Sequence, residues 1–311
     1  MKKLLAILLS ILIILSLSAA AEIIDLSSWD IPDEPRLDIK WLNNENEVYA
    51  FQDPVIEKHV REILNIPEGN INTHSLQDID ELLIFDEKIE TLADLPNMPN
   101  LKILYLEGAG ISDLSPLSHM VQLEELYLPN NNISNISPLS NIASLRILDL
   151  SNFSRNGVWY FATHPELWYQ FGQSNHITDF SPIESLTNLT NLSMSDTGFS
   201  DLSALTFPES LTNLTLNDNN ISDIAPLAGL THLVWLDLNN NEITDIAPLT
   251  DMTDMVRLTL SDNKISDVSP LTHMNNLLVL DLRNNNIRDF SPVENLPELY
   301  ELLIDGNPGS K

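Results

Sequence analysis

Apolar and polar positions repeat along most of the chain with a period of 22 residues. The stretch Leu101-Lys-Ile-Leu104-Tyr-Leu106 recurs as Leu123-Glu-Glu-Leu126-Tyr-Leu128. The same frame starts at Ile79 and returns at Leu145, Leu189, Leu211, Leu233, Met255, Leu277 and Leu299. Each stretch ends in apolar–polar alternation, which predicts a short strand with its leucines turned inward. One such unit cannot bury its own apolar face, so the units are expected to stack into a solenoid with a parallel sheet on one side.

Two ladders of polar residues accompany the strands. The asparagines are Asn131, Asn175, Asn219, Asn241, Asn263, Asn285 and Asn307, and the aspartates are Asp113, Asp179, Asp201, Asp223, Asp245, Asp267 and Asp289. A side-chain amide carries donors and acceptors, so it can satisfy backbone groups where a strand turns away. The aspartates precede an apolar residue and, in most units, a proline, which predicts a capped turn of 3-10 helix. Both ladders are therefore interpreted as architecture.

A helix is predicted just before the repeats. Asp53 can cap it with Pro54 in first place, and Ile56, Val60, Ile63 and Leu64 form one apolar stripe. We expect this region, residues 51–78, to form a helical N-terminal cap over the open end of the repeat core, which spans residues 79–307. Residues 308–311 are expected to form a short tail.

The complete repeat pattern resembles that of a known family. The pattern L-x-x-L-x-L-x-x-N-x-I-x-D-I-x-P-L, as it stands from Leu233 to Leu249, is similar to the internalin-type bacterial leucine-rich repeat, and the helix resembles the N-terminal cap of the same proteins. The resemblance implies an α/β solenoid: a leucine-rich repeat superhelix with a concave parallel β-sheet, short 3-10 turns on its convex side and a helical N-terminal cap. It also implies protein binding, which in some members is adhesion to host proteins.

The first 21 residues have the composition of a secretory signal peptide. Lys2 and Lys3 precede an apolar run from Leu4 to Leu17, and small residues lead up to Ala21. Such a run reaches about 21 Å as a helix, short of a hydrocarbon core of roughly 30 Å. We expect cleavage after Ala21, a secreted or extracellular protein and no membrane span after cleavage; an uncleaved anchor is the alternative. Residues 22–50 are expected to form an extended lead-in.

The regular spacing is interrupted once. The interval from Leu145 to Leu189 is twice the period, which predicts an insertion at residues 153–174 that leaves from the end of a strand; a degenerate extra repeat is the alternative. The insertion contains Phe153, Trp159, Tyr160, Phe161, Trp168, Tyr169 and Phe171, in a chain with only 5 Trp, 6 Tyr and 9 Phe. These rings either pack back on the solenoid or remain exposed as anchors for a protein or a sugar.

Aromatic residues also stand at outward-facing strand positions. Tyr105, Tyr127 and Trp235 have no packing role on a water-facing sheet, and Tyr105 and Tyr127 are expected on neighbouring strands. We predict one aromatic patch rimmed by Asp149 and Glu125. Ordinary exposed tyrosine is the alternative.

The net charge and the absence of catalytic motifs exclude several classes of function. The chain has 15 Lys+Arg against 45 Asp+Glu, a formal net charge of −30, and no cysteine. This charge argues against nucleic acid as a partner, and the absence of cysteine excludes disulfides and thiolate chemistry. No phosphate loop, zinc-protease helix or nucleophile elbow is present, so neither an enzyme nor a cofactor or metal site is predicted.

The predicted function is a secreted bacterial binding module. It would recognise a protein partner with a basic face through the concave sheet and the aromatic insertion. The alternatives are a structural or cell-envelope spacer and a carbohydrate-binding module.

Overall fold

The computed structural model describes residues 47–152 and 174–310. The predicted signal sequence at residues 1–21, the lead-in up to residue 46 and residues 153–173 of the predicted insertion lie outside the described residues.

Helix α1 (Pro54–Ile63) covers the first repeat. The Asp53 carboxylate caps it by accepting hydrogen bonds from the Val55 and Ile56 backbone N–H groups, and Pro54 occupies the first turn. Ile56 and Val60 are fully buried, whereas Ile63, predicted on the same stripe, is exposed at the last turn. The helix therefore provides the helical N-terminal cap that the sequence predicted.

Ten parallel strands follow in sequential order and form one sheet. They are β1 (Glu81–Phe85), β2 (Ile103–Glu107), β3 (Glu125–Tyr127), β4 (Ile147–Asp149), β5 (Asn191–Ser193), β6 (Asn213–Thr215), β7 (Trp235–Asp237), β8 (Arg257–Thr259), β9 (Val279–Asp281) and β10 (Glu301–Leu303). At a strand spacing of about 4.8 Å this sheet is roughly 45 Å long. Leu104 of β2 and the central leucine of each strand from β3 to β9 are buried, so the apolar core lies behind the sheet, as predicted.

Strand β4 pairs directly with β5 although an extra 22 residues separate them. Leu148 lies opposite Leu192, just as Leu126 lies opposite Leu148. Asn175 then takes the asparagine position of this unit: its Oδ1 accepts from Ile133 N–H at 3.1 Å and its Nδ2 donates to the Leu128 carbonyl at 2.9 Å. The bounds of the insertion remain a prediction, because most of it lies outside the described residues.

The two polar ladders have the structural roles that the sequence predicted. Asn263, for example, accepts from Ile243 N–H and donates to the Leu238, Leu260 and Ser261 carbonyls. On the convex side, the Asp245 carboxylate accepts from Ala247 N–H at 2.8 Å and so caps the 3-10 turn Ala247–Leu249. The aspartates of this ladder therefore stabilise turns.

A third ladder was not predicted. Its residues follow the strands and have positive φ angles between 52° and 81°: Asp86, Gly108, Asn130, Asp196, Asp218, Asn240, Asp262, Asn284 and Gly306. Aspartate, asparagine and glycine tolerate this left-handed conformation best. The signal was available in the sequence as a run of these three residue types at the same 22-residue period.

Candidate recognition surface on the concave sheet

The side chains on either side of each central leucine point away from the core and form the concave face. The middle row across this face consists of Leu83, Tyr105, Tyr127, Asp149, Ser193, Thr215, Asp237, Thr259, Asp281 and Leu303. Thr259 and Asp281 of this row are buried, whereas the other members are exposed or half-buried. The residues of the middle row are apolar or aromatic at β1–β3 and polar from β4 to β9.

Three aromatic rings stack across the first three strands. The Phe85 and Tyr105 ring centroids lie 4.8 Å apart, and the Tyr105 and Tyr127 rings are stacked at 5.1 Å with an interplanar angle of 27°. Phe85 is 50% exposed. We call Phe85, Tyr105 and Tyr127 the aromatic row. It confirms that Tyr105 and Tyr127 are neighbours and extends the pair by Phe85.

Two glutamates hold the tyrosines of the aromatic row. The Tyr105 hydroxyl donates to Glu107 Oε2 at 3.0 Å and the Tyr127 hydroxyl donates to Glu125 Oε2 at 2.9 Å. Burial, reinforced by the hydrogen bond to Glu125, raises the pKa of Tyr127 to about 12. Both hydroxyl groups are therefore neutral donors near neutral pH, and the orientation of each ring is fixed.

Next to the aromatic row lies a hollow of about 200 Å³. We call it the concave hollow. It is lined by Tyr127, Ile147, Leu148, Asp149, Asn191, Leu192, Ser193, Asn213, Thr215 and Trp235. Its two aromatic ends are Tyr127 on β3 and Trp235 on β7, and between them the floor combines apolar side chains with amide, hydroxyl and carboxylate groups. Asp149 was predicted at this place, whereas the amide and hydroxyl groups of the floor were not, since short polar residues on a strand give no distinctive sequence signal.

Trp235 projects from the sheet at the far end of the concave hollow. Its side chain is 43% exposed, and the Arg257 guanidinium lies over its ring, 5.4 Å from the centroid. An arginine in this position is attracted by the ring electrons and fixes the ring. Trp235 is four strands from Tyr127, so it forms a second aromatic site, separated by the hollow from the aromatic row.

Three aspartates of the middle row differ in how their charge is balanced. Asp281 forms an ion pair with Arg283 at 2.6 Å. Burial raises the pKa of Asp237, and the nearby Arg257 guanidinium opposes that rise without cancelling it. Asp149 accepts from Ser151 N–H at 2.9 Å, and burial raises its pKa. Among the described residues no lysine, arginine or histidine forms an ion pair with Asp149.

The concave hollow thus brings together three of the predicted site residues, Tyr127, Asp149 and Trp235, and Tyr105 packs behind Tyr127. The other six, Trp159, Tyr160, Phe161, Trp168, Tyr169 and Phe171, lie outside the described residues.

The described part of the chain contains no group of three or more His, Cys, Asp or Glu side chains suited to a metal ion. Over the same residues, no helix combines the length and apolar character needed to cross a membrane.

Known proteins share the repeat sequence and the fold of this chain. A family model of two tandem leucine-rich repeats matches residues 121–156, 209–250 and 231–273. The structure of the internalin InlF from Listeria monocytogenes is 30% identical, covering 83% of this chain and 76% of that one with a TM-score of 0.66. The internalin InlC2 from the same organism is also 30% identical, covering 81% and 94% with a TM-score of 0.55.

A more distant match shows the fold alone. The plant peptide hormone receptor RGFR1, solved in complex with RGF2, is 18% identical, with 69% of this chain and 34% of that one covered and a TM-score of 0.50. No curated protein sequence matches the chain significantly.

Proposed function

The chain belongs to the internalin-type bacterial leucine-rich repeat proteins, and from that premise we propose that it binds a protein partner through the concave face of its sheet. Leucine-rich repeats of this kind are protein–protein interaction modules. The finer proposal is that the aromatic row and the concave hollow carry the recognition.

One observation supports this location above all others. The aromatic row and Trp235 place large rings on the water-facing side of the sheet. The fold does not need them there, because the apolar core lies on the other side of the sheet. Exposed aromatic residues held in fixed positions are typical anchors of protein interfaces. The Glu107 and Glu125 carboxylates accept from the tyrosine hydroxyls, and the Arg257 guanidinium lies over Trp235. These contacts keep the rings oriented, which reduces the entropy lost on binding.

The proposal also includes secretion of the protein and a contribution of the insertion to partner binding. Residues 1–21 would direct export, giving a secreted or surface-exposed protein, in keeping with the family. The insertion would leave from the end of β4, beside Asp149, so the aromatic side chains of residues 159–171 would supply further contacts next to the concave hollow. We propose a binding function without enzymatic activity, as is usual in this family.

Site-specific photo-cross-linking tests the location. With p-benzoylphenylalanine in place of Tyr127 or Trp235, we expect both variants to cross-link to the same partner protein. The same group at Val121, which is 61% exposed in the turn that precedes β3, is expected to give no such product. Equal cross-linking from all three positions, or cross-linking from Val121 alone, would show that the concave face is not the interface. Products formed only with polysaccharide would favour the carbohydrate-binding alternative.

A further inference from the structure

We propose that the concave hollow takes one cationic side chain of the partner, an arginine or a lysine, at its β4 end, over the Tyr127 ring and beside the Asp149 carboxylate. This inference rests on the proposed function and specifies the chemistry of the contact.

The first support is the open face of the Tyr127 ring. Tyr105 on β2 stacks against one face of this ring at 5.1 Å, and the strand order places β4 on the other side. The opposite ring face therefore borders the concave hollow, of which Tyr127 is a lining residue. An aromatic face of this kind attracts a guanidinium or ammonium group within about 6 Å of its centroid.

The second support is the carboxylate next to that ring. Asp149 is the register partner of Tyr127 and also lines the hollow. The equivalent aspartate on β9, Asp281, is neutralised by Arg283, whereas Asp149 has no such cation within residues 47–152 and 174–310. A half-buried carboxylate without a cation is costly, and an incoming cation would relieve that cost.

The volume of the concave hollow and the charges around it are consistent with a site for one cationic side chain. A hollow of about 200 Å³ is smaller than the roughly 300–1,000 Å³ of typical small-molecule sites. Glu107 lies on β2 and Glu125 on β3. Arg146, directly before β4, pairs with Glu124 at 4.0 Å, and Arg257 and Arg283 are engaged with Trp235 and Asp281. The electrostatic potential at the β4 end of the concave hollow is therefore negative and would steer a basic segment of the partner toward it.

A neutral sugar is the competing occupant. Its hydroxyl groups could bond to Asn191, Ser193 and Asn213 on the floor while a ring stacks on Tyr127. The two occupants differ in charge, so a pair of ligands of nearly the same shape separates them. Argininamide and citrullinamide are such a pair, because citrulline replaces the guanidinium by a neutral urea.

Methyl NMR on the full chain provides the measurement, with the Ile147 δ-methyl group as reporter because Ile147 lines the hollow. We expect a saturable shift of this signal with argininamide, and an affinity for citrullinamide at least about tenfold lower. Asp149→Asn should weaken argininamide binding by about the same factor and leave the fold intact, since an amide oxygen can still accept from Ser151 N–H. The matched control is Asp251→Asn on an exposed turn, which should change nothing.

The affinity should also fall as the pH is lowered through the raised pKa of Asp149, because a bound cation favours the ionised carboxylate and protonation removes it. The groups that face Asp149 are Tyr105 and Glu107 on β2, Tyr127 on β3 and Ser193 on β5. The tyrosines stay neutral over this range. The pKa of Glu107 is also raised by burial, so its protonation acts in the same direction.

Equal binding of the two amides, an affinity unchanged in Asp149→Asn, or a shift caused by N-acetylglucosamine and not by argininamide would each overturn the inference. These outcomes leave the proposed function standing if cross-linking from positions 127 and 235 still captures one protein. Loss of that cross-link is what would remove the proposed function itself.

Discussion

Replacing Asp53 by alanine lowers the free energy of unfolding by about 3 kcal/mol or more, because this one carboxylate satisfies four backbone donors. Its Oδ1 accepts from Val55 and Ile56 N–H in the first turn of α1, at 2.9 and 3.1 Å. Its Oδ2 accepts from Glu90 and Thr91 N–H, at 2.7 and 3.2 Å, in the segment between β1 and β2. Asp53 is 1% exposed, so water cannot replace these bonds without local opening.

Urea unfolding followed by circular dichroism measures this effect. Asp53→Asn should fall between wild type and Asp53→Ala, because one oxygen can still cap the helix while the second group can no longer accept from Glu90 and Thr91. Glu68→Ala, at an exposed loop position, is the matched control and should be neutral. A loss of only about 1 kcal/mol in Asp53→Ala would equal that of an ordinary helix cap and contradict the bridging role.

Replacing Asn263 by alanine is expected to cost about 2–3 kcal/mol. Its amide accepts from Ile243 N–H at 3.0 Å and donates to the Leu238, Leu260 and Ser261 carbonyls at 2.9, 3.2 and 3.1 Å. Each buried backbone group left without a partner costs about 1–3 kcal/mol, and some relaxation reduces the sum. Asn263→Asp should be at least as harmful, because a carboxylate would face three carbonyl oxygens.

The control for this ladder residue is another asparagine with an exposed amide. Asn276 donates only to the Thr253 carbonyl at 3.0 Å, where water can substitute, so Asn276→Ala should shift the urea midpoint little. If Asn263→Ala and Asn276→Ala were equally mild, the asparagine ladder would not be what supports the strand ends.

The repeat architecture could be predicted from the sequence because its determinants are local and recur. A leucine that must be buried, an asparagine that must bond to the ends of two neighbouring strands and an aspartate that caps a turn return at one spacing. Asn175 could therefore be placed even across the interruption. The left-handed ladder has the same origin and could have been found in the same way.

The candidate site was harder to predict, because it depends on relations between repeats. Tyr105 and Tyr127 follow each other by one period, so their stacking was foreseeable. The separation of Trp235 from them depends on counting the strands between. The polar part of the floor consists of small residues that resemble any exposed strand surface. That Asp149 forms no ion pair among the described residues stands out only in comparison with Asp281, whose partner Arg283 lies two residues further along the chain.

The acidic residues of the chain fall into two groups, one on the convex side and one on the concave face, which composition alone does not show. The convex aspartates, such as Asp245, accept from backbone donors in their own turns, so they contribute to the net charge of −30 as part of the architecture. The concave acids Asp149 and Asp237 lie instead on the surface that carries the aromatic rings. This second group, together with Glu107 and Glu125 beside the aromatic row, bears on the choice of partner.

The central claim is that the concave hollow is the recognition surface, and one titration tests it most directly. The affinity of the cross-linked partner is measured for the wild type, for Trp235→Ala and for Val121→Ala, after equal urea midpoints have shown that all three are folded. A buried aromatic anchor is worth about 2 kcal/mol or more, so Trp235→Ala should weaken binding by at least about tenfold, while Val121→Ala stays within about twofold. An affinity of Trp235→Ala within about twofold of the wild type would contradict the claim.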